Sequence, residues 1–267
     1  MMRITIPKLK EKKSVTPIVC LTSYNFYTSK LIDPYIDLQL VGDSLGMVVY
    51  GMKSTIGVSL QMMILHGKAV VSGSSRSLVV IDMPFGSYEE SPSIAFKNAS
   101  LILKETGCQA VKIEGGSHMA ETVKFLVNRG IPVMGHIGLT PQSLNKFGGF
   151  KTQGLTYKEW EQFEKDALDL ENAGAFAIVI EGVASDLATK ITQNREILTI
   201  GIGASAKCDG QILVTEDLLG LSDYVPKFVK KYINLNTLVA EAVESYANEV
   251  KERKFPSKDN IYEMKKK

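Results

Sequence analysis

Leu78-Val-Val-Ile-Asp-Met-Pro84 and Ala110-Val-Lys-Ile-Glu-Gly-Gly116 are two short runs of β-branched, apolar residues, each followed by polar residues. Such runs are typical of strands buried in a parallel sheet. The segment between them, Ser93 to Glu105, has apolar residues at helical spacing and is followed by Gly107, a common helix stop. Together they predict one strand–helix–strand unit with parallel strands.

The same alternation recurs along the chain. Further strand-like runs lie at Ile18–Leu21, Leu38–Val41, Ile131–Met134, Phe176–Ile180 and Leu198–Ile202, and further helical segments at Met119–Arg129, Tyr157–Ala173 and Leu187–Asn194. Six or seven such repeats, without a compositional break or a low-complexity linker, predict an α/β fold of the (β/α)8 TIM-barrel type. We expect a single domain over residues 1–267, with a short N-terminal extension, a C-terminal helix at Asn234–Lys251 and a solvated tail at Met264–Lys267.

A doubly wound open sheet is the alternative fold. Such a sheet usually has a glycine-rich phosphate-binding turn after its first strand. Here Leu21 is followed by Thr-Ser-Tyr-Asn, which contains no glycine. The barrel is therefore favoured.

Composition excludes several classes of function. The 267 residues carry a net charge of +2, which gives no reason to expect a nucleic-acid or membrane partner. The three cysteines form no C-x-x-C pair, so we expect neither a disulfide nor a zinc site. The N-terminal segment Met1–Ser14 has no apolar run of signal-peptide length, and no stretch of the chain reaches the length of a membrane span, so we expect a soluble, cytoplasmic protein.

Polar residues follow most of the predicted strands. These residues comprise four carboxylates, one ammonium group, one imidazole and one hydroxyl: Asp43, Asp82, Glu114 and Glu181, with Lys112, His136 and Ser44. Active sites of parallel barrels form at the C-terminal ends of the strands. Ionisable groups on one rim are costly to desolvate unless they bind each other, a metal or a charged substrate. We therefore predict that they form one site.

Each of these residues also has a structural explanation when taken alone. Asp43 or Asp82 could cap the helix that follows, and Lys112 and Glu114 lie on one face of their strand, where they could form a structural salt bridge. A single histidine is more often a semi-buried structural residue than a catalyst. Their shared position on one rim favours the functional interpretation.

Carboxylates without cysteine and with few histidines favour Mg2+ over zinc. A magnesium ion could chelate the keto and carboxylate oxygens of a 2-oxo acid and stabilise its enolate. Lys112 and His136 could add positive charge or hydrogen bonds at the same oxygens. Glu181 would then be available as the general base.

Several longer blocks resemble one family. They are Val41-Gly-Asp-Ser-Leu-Gly-Met-Val48, Ala110 to Gly116, Pro132-Val-Met-Gly-His-Ile-Gly-Leu-Thr-Pro-Gln142, Thr199 to Ala204 and Cys208 to Val214. In this order they resemble the 3-methyl-2-oxobutanoate (ketopantoate) hydroxymethyltransferases. The resemblance implies hydroxymethyl transfer from 5,10-methylenetetrahydrofolate to 3-methyl-2-oxobutanoate, giving 2-dehydropantoate, on a TIM barrel that assembles as a homodecamer.

The resemblance also implies roles for individual residues. It assigns the magnesium site to Asp43, Asp82 and Glu114 and the general base to Glu181. Ser44, Lys112 and His136, together with Asp43 and Asp82, match the residues that contact the oxo acid. The chain departs from the usual family pattern at Asn25, Leu155, Ala184 and Ser205, and none of these positions carries a metal or proton-transfer role.

Two other functions are alternatives for a barrel of this kind. Another Mg2+-dependent barrel enzyme, such as a 2-oxo acid carbon–carbon lyase or a phosphoenolpyruvate mutase, would be expected to carry a catalytic cysteine or a phosphate-binding motif on a mobile loop. A non-catalytic scaffold would be expected to have lost the rim carboxylates. The transferase is the leading hypothesis.

Overall fold

The computed structural model describes residues 3–222 and 225–264. It divides into two compact units, the first ending at Thr215 and the second beginning at Glu216. Organisation of residues 1–267 as a single domain stays a prediction, and residues 265–267 of the predicted tail lie outside the described residues.

The first unit contains a closed barrel of eight parallel strands in sequential order. The strands are β1 Ile18–Thr22, β2 Leu38–Val41, β3 Leu78–Asp82, β4 Ala110–Glu114, β5 Val133–Gly138, β6 Ala177–Glu181, β7 Leu198–Ile202 and β8 Gly210–Leu213. Pairing of β8 with β1, Ile18 opposite Gly210, closes the barrel. The predicted TIM-barrel fold is confirmed.

Helices alternate with most of these strands. They are α1 Ile6–Lys10, α2 Phe26–Ile32, α3 Leu45–Val48, α4 Leu60–Gly73, α5 Pro92–Thr106, α6 Ala120–Val127, α7 Leu144–Phe147, α8 Tyr157–Asn172, α9 Ser185–Gln193, α10 Thr215–Leu218 and α11 Leu235–Lys251. Short 3-10 helices lie at Thr55–Gly57, Ser117–Met119, Pro141–Ser143 and Lys258–Asn260. None of the helices within the described ranges has both the length and the apolar character needed to cross a bilayer.

Two strand predictions need correction. The fifth strand was expected at Ile131–Met134, but it runs from Val133 to Gly138. Gly135 lies inside it because a side chain there would collide with α8, its Cβ coming within 2.9 Å of Leu170. The strand β8 was not predicted, because it has only four residues and its outward residue, Gln211, is polar and exposed.

The N-terminal extension forms a helix that closes the lower end of the barrel. Thr5 caps α1, and Leu9 is fully buried in the same apolar cluster as Ile18, Leu38 and Leu78, the first inward residues of three strands. The lower end of the barrel interior is thereby filled by side chains, as is usual in this fold.

Asp33, at the end of α2, organises the turn that leads into β3. Its buried carboxylate accepts hydrogen bonds from the backbone N–H groups of Ser75, Arg76 and Ser77 at 2.8–2.9 Å. Burial alone would raise its pKa, but these bonds and those of the serine hydroxyls hold the pKa of Asp33 below its ordinary value.

The longest element of the second unit is α11. This helix confirms the predicted C-terminal helix and is amphipathic, since Leu238, Val239, Val243, Tyr246 and Val250 recur at helical spacing. Each of these side chains is at least 43% exposed, so the apolar stripe lies at the surface of the described chain.

Candidate active site

The predicted site residues complete the side-chain columns that fill the barrel. Successive side chains on a strand alternate between its two faces. The inward columns read Leu78, Val80 and Asp82 in β3, Ala110, Lys112 and Glu114 in β4, Met134 and His136 in β5, and Ala177, Val179 and Glu181 in β6. The lower levels are therefore apolar, and the upper level is charged.

Lys112 and Asp82 form a buried ion pair across neighbouring strands. Their Nζ and Oδ1 atoms are 3.2 Å apart, and both side chains are less than 5% exposed. The pairing register places the two residues directly opposite each other. Burial lowers the pKa of Lys112, but the surrounding carboxylates outweigh it and raise that pKa above its ordinary value, so the ammonium stays charged.

His136 links the two sides of the site. Its Nδ1 atom lies 3.1 Å from Lys112 Nζ and 3.5 Å from Glu114 Oε1, while its Nε2 atom lies 3.3 Å from Glu181 Oε2. Burial and Lys112 lower its pKa, but the carboxylates of Glu114 and Glu181 outweigh them and raise the pKa of His136 to about 9. The carboxylates therefore favour the protonated ring, and the Lys112 ammonium 3.1 Å from Nδ1 opposes it.

The predicted metal residues are buried close together. Burial, with the charges of Asp82 and Glu114, raises the pKa of Asp43 well above its ordinary value. Burial also raises the pKa of Asp82, although Lys112 opposes this. Such shifts are expected where carboxylates crowd without enough positive charge.

The cluster also contains acceptor atoms without hydrogen bonds. Asp82 Oδ1 and Glu114 Oε1 are buried and accept no hydrogen bond of normal geometry, and their nearest cations are the ion-pair partners already described. Buried oxygens in this state are rare and indicate a missing partner. Within residues 3–222 and 225–264, however, no three Asp, Glu, His or Cys side chains are arranged to hold one metal ion together.

Ser44 lies just before α3, beside the carboxylate cluster. Its hydroxyl is 2.7 Å from the hydroxyl of Tyr24, a residue only 1% exposed. Gly42 precedes this turn, and a Cβ there would lie 2.7 Å from Ser44 Oγ. The close approach of the backbone to the serine therefore requires glycine at position 42.

Glu181 ends β6 and is the most accessible of the four carboxylates, with 16% of its side chain exposed. Its backbone carbonyl packs against Gly138, where a Cβ would come within 2.3 Å of the oxygen and where φ is +94°. Gly138 thus allows β5 and β6 to stay in contact up to the rim, which brings Glu181 to His136.

All seven residues predicted from the sequence lie at the upper end of the barrel. Sequence analysis missed Gln142, which bonds to the carboxylates of Asp43 and Glu114 from the loop after β5. It also missed Tyr88, in the loop after β3, which bonds to the Gln142 amide and to the backbone of Glu114. Gln142 is the last residue of the family-like block Pro132 to Gln142, and its place in that block was the only feature of the sequence that could have identified it. Tyr88 had no such feature, because an aromatic residue in a loop is usually a packing residue.

The four departures from the family pattern have structural positions. Asn25 caps α2, its Oδ1 atom accepting the N–H of Thr28 at 2.9 Å. Ser205 Oγ lies 2.7 Å from Thr189 Oγ1 on α9, Ala184 precedes that helix, and Leu155 is 71% exposed. None of the four contacts the carboxylate cluster through a described hydrogen bond.

Known proteins resemble this chain over nearly its whole length. A sequence model of the family described as ketopantoate hydroxymethyltransferase matches residues 3–258. The 3-methyl-2-oxobutanoate hydroxymethyltransferase of Bartonella henselae is 60% identical over 265 residues, covering 99% of this chain and 96% of that protein. The protein of the same name from Parvibaculum lavamentivorans is 58% identical over 264 residues, again covering 99% and 96%.

Solved structures share the fold at much lower identity. Phosphonopyruvate hydrolase in complex with oxalate and Mg2+ superposes with a TM-score of 0.62 and 11% identity, covering 98% of this chain and 93% of that one. A 2,3-dimethylmalate lyase of the PEP mutase/isocitrate lyase superfamily has a TM-score of 0.61 and 13% identity, covering 96% and 88%. At such identities the likeness concerns the barrel alone.

Proposed function

The chain belongs to the ketopantoate hydroxymethyltransferase family and is an enzyme of that class, and we propose that it uses magnesium and 5,10-methylenetetrahydrofolate to convert 3-methyl-2-oxobutanoate into 2-dehydropantoate. One observation carries the metal and substrate part of this proposal. Among the described residues, four carboxylates and two basic side chains, Lys112 and His136, share the upper level of the barrel, and two of the carboxylate oxygens are buried without hydrogen bonds.

The residues present fit a magnesium ion. The crowding that raises the pKa of Asp43 and Asp82 would be relieved by a divalent cation, and every candidate ligand is a hard carboxylate oxygen. Mg2+ commonly takes one or two protein carboxylates and fills its other positions with water and substrate oxygens. Asp43, Asp82 and Glu114 would hold the ion, and two of them, Asp82 and Glu114, each keep one buried oxygen without a hydrogen bond.

When bound, the ion would draw electron density from the keto group of the substrate and make its C3 hydrogen more acidic. The protein's own donors suit the substrate's oxygens. Lys112 and the imidazolium of His136 present positive charge beside the cluster, and Ser44 presents a hydroxyl held by Tyr24. Lys112, His136 and Ser44 would suffice to orient the carboxylate and the keto oxygen of the substrate, so this step needs no further charged residue.

Glu181 is suited to remove the proton from C3. It lies across His136 from the metal-side carboxylates, and the imidazolium 3.3 Å away holds its carboxylate in place. The C3–H bond breaks, the proton passes to Glu181, and the resulting enolate forms the new carbon–carbon bond with the methylene carbon of the folate. Overall, both bonds from that carbon to the folate nitrogens break, one water supplies the oxygen of the new hydroxyl group, and the two nitrogens of the departing tetrahydrofolate gain the C3 proton and one proton of the water.

The first step can be measured without folate. Proton NMR in D2O should show loss of the C3 hydrogen of 3-methyl-2-oxobutanoate when enzyme and magnesium are present, and EDTA should stop the exchange. A folded, metal-binding sample that exchanges no hydrogen, with or without tetrahydrofolate, would contradict the proposed substrate and base.

Assembly and location belong to the same proposal. We propose a homodecamer in the cytoplasm, as the family resemblance implies. The exposed apolar stripe of α11 supports self-association, since monomeric proteins rarely leave such stripes exposed to solvent. Analytical ultracentrifugation of the purified chain tests the subunit number, and a monomer would contradict it.

A further inference from the structure

Gln142 makes four hydrogen bonds at the base of the carboxylate cluster. It follows Pro141 in the short 3-10 helix after β5 and is 5% exposed. Its Nε2 atom donates to Asp43 Oδ2 at 2.8 Å and to the carbonyl oxygen of Met83 at 2.9 Å. Its backbone N–H donates to Glu114 Oε2 at 3.0 Å. One residue thus connects the ends of β2, β3 and β4 to the loop after β5.

The orientation of this amide follows from its partners. Asp43 Oδ2 and the carbonyl of Met83 are both acceptors, so the amide nitrogen must face them. The amide oxygen then faces the hydroxyl of Tyr88 at 2.5 Å. That hydroxyl accepts the backbone N–H of Glu114 at 3.2 Å, and its own proton is directed to Gln142 because the other acceptor, the Glu114 carbonyl, is farther away at 3.4 Å. Tyr88 therefore fixes the amide in the orientation that donates to Asp43.

The bonds divide the carboxylate oxygens into two sets. Asp43 Oδ2 and Glu114 Oε2 are held by Gln142, and Asp82 Oδ2 is held by the backbone N–H of Asp43 at 3.0 Å. Asp82 Oδ1 and Glu114 Oε1 remain buried without a hydrogen bond. Each acid is thus anchored through one oxygen, and its rotation about the side chain is restricted.

We propose that Gln142, oriented by Tyr88, is a positioning residue that sets the arrangement of Asp43 and Glu114 for binding the divalent cation. The inference rests on the proposed function for the existence of that cation. Residues that orient metal ligands typically change affinity by about tenfold to a hundredfold when removed. The bonds from Gln142 also offset part of the mutual repulsion of the acids, which favours a preformed site.

The test measures binding of Mn2+ to the full chain by electron paramagnetic resonance, where loss of the free-ion signal reports the bound fraction. Gln142→Leu keeps the side-chain volume and the backbone N–H to Glu114 but removes both amide donors. We expect Mn2+ affinity to fall at least about tenfold. Tyr88→Phe should weaken binding in the same direction, and less strongly in the Gln142→Leu background than in the wild type.

Two matched variants control for loss of an amide or a hydroxyl elsewhere. Gln211→Leu removes an exposed amide on β8, and Tyr50→Phe removes a hydroxyl that bonds to His66. Both should bind Mn2+ as the wild type does. Thermal unfolding with and without Mn2+ gives a second readout, because a positioning role reduces the rise in melting temperature caused by the metal, whereas a purely structural role lowers both temperatures together.

The outcomes separate the two proposals. A folded wild type that binds no Mn2+ overturns both the proposed metal site and the role of Gln142. A wild type that binds Mn2+ with unchanged affinity in Gln142→Leu overturns only the role of Gln142. If Gln142→Leu does not fold, Tyr88→Phe decides alone, and wild-type affinity in that variant overturns the inference.

Discussion

Replacing Lys112 with methionine should strongly destabilise the metal-free protein. The substitution keeps an unbranched side chain but removes the charge that lies 3.2 Å from Asp82 Oδ1. At an effective dielectric constant of about 20, charges at this separation attract each other by about 5 kcal/mol. Removing one partner of a buried pair commonly costs about 3–5 kcal/mol. We therefore expect a loss of about 4 kcal/mol in the free energy of unfolding at pH 8.

The loss in the free energy of unfolding should be greater at high pH than at low pH. Lys112 opposes the burial that raises the pKa of Asp43 and Asp82, so these pKa values rise further without it. A carboxyl group whose folded-state pKa is raised stabilises the protein at low pH, and this contribution is lost as the pH increases through that pKa. The difference between variant and wild type should therefore be smaller at pH 5 than at pH 8.

Urea unfolding in EDTA, at equal protein concentrations, measures both quantities. Lys68→Met is the matched control, since its ion pair with Glu105 has an N to O distance of 2.7 Å but both side chains are nearly half exposed. That variant should lose much less stability than Lys112→Met, because water screens an exposed ion pair. A loss of under 1 kcal/mol in Lys112→Met, or one that is equal at pH 5 and pH 8, would refute the electrostatic reasoning.

Three further substitutions test other parts of the structure. Glu181→Gln should slow C3 hydrogen exchange by at least about a hundredfold while Mn2+ binding is retained, and near-normal exchange would make another residue the base. Asp82→Asn should raise the magnesium concentration for half-maximal exchange at least about tenfold, and an unchanged requirement would remove it from the ligand set. Asp33→Asn should lower the free energy of unfolding by about 3 kcal/mol at pH 7, because hydrogen bonds to its charged carboxylate are weakened. Since the pKa of Asp33 is held low, urea unfolding should show that this loss shrinks as the pH falls below about 4, and a constant difference would be evidence against it.

The barrel and its charged rim were both predictable, for the same physical reason. Parallel strands buried on both faces must be apolar, so an acid or a lysine at the end of such a run stands out in the sequence. Asp82, Lys112 and Glu181 each end or interrupt a run of this kind, and all three lie on the inward columns. Residues that share one rim can therefore be recognised without knowing their distances.

The elements and residues that the sequence did not predict lack this contrast between a charged residue and an apolar run. The strand β8 is too short to show an apolar run, and α1 follows the start of the chain, where no preceding strand marks it. Gln142 and Tyr88 act through loops whose course the sequence does not determine. Their pairing depends on a separation of 54 residues along the chain, which periodicity and spacing cannot reveal.

The closed lower end of the barrel has a kinetic consequence. Leu9 and the apolar residues around it separate the charged level from water below, so reactants reach it through the mouth. A single entrance makes binding and release ordered, because the compound that lies deeper must bind before the one that covers it and must dissociate after it. If the proposed oxo acid binds against the charged level and the proposed folate binds above it, steady-state kinetics should show an ordered mechanism, with tetrahydrofolate leaving first.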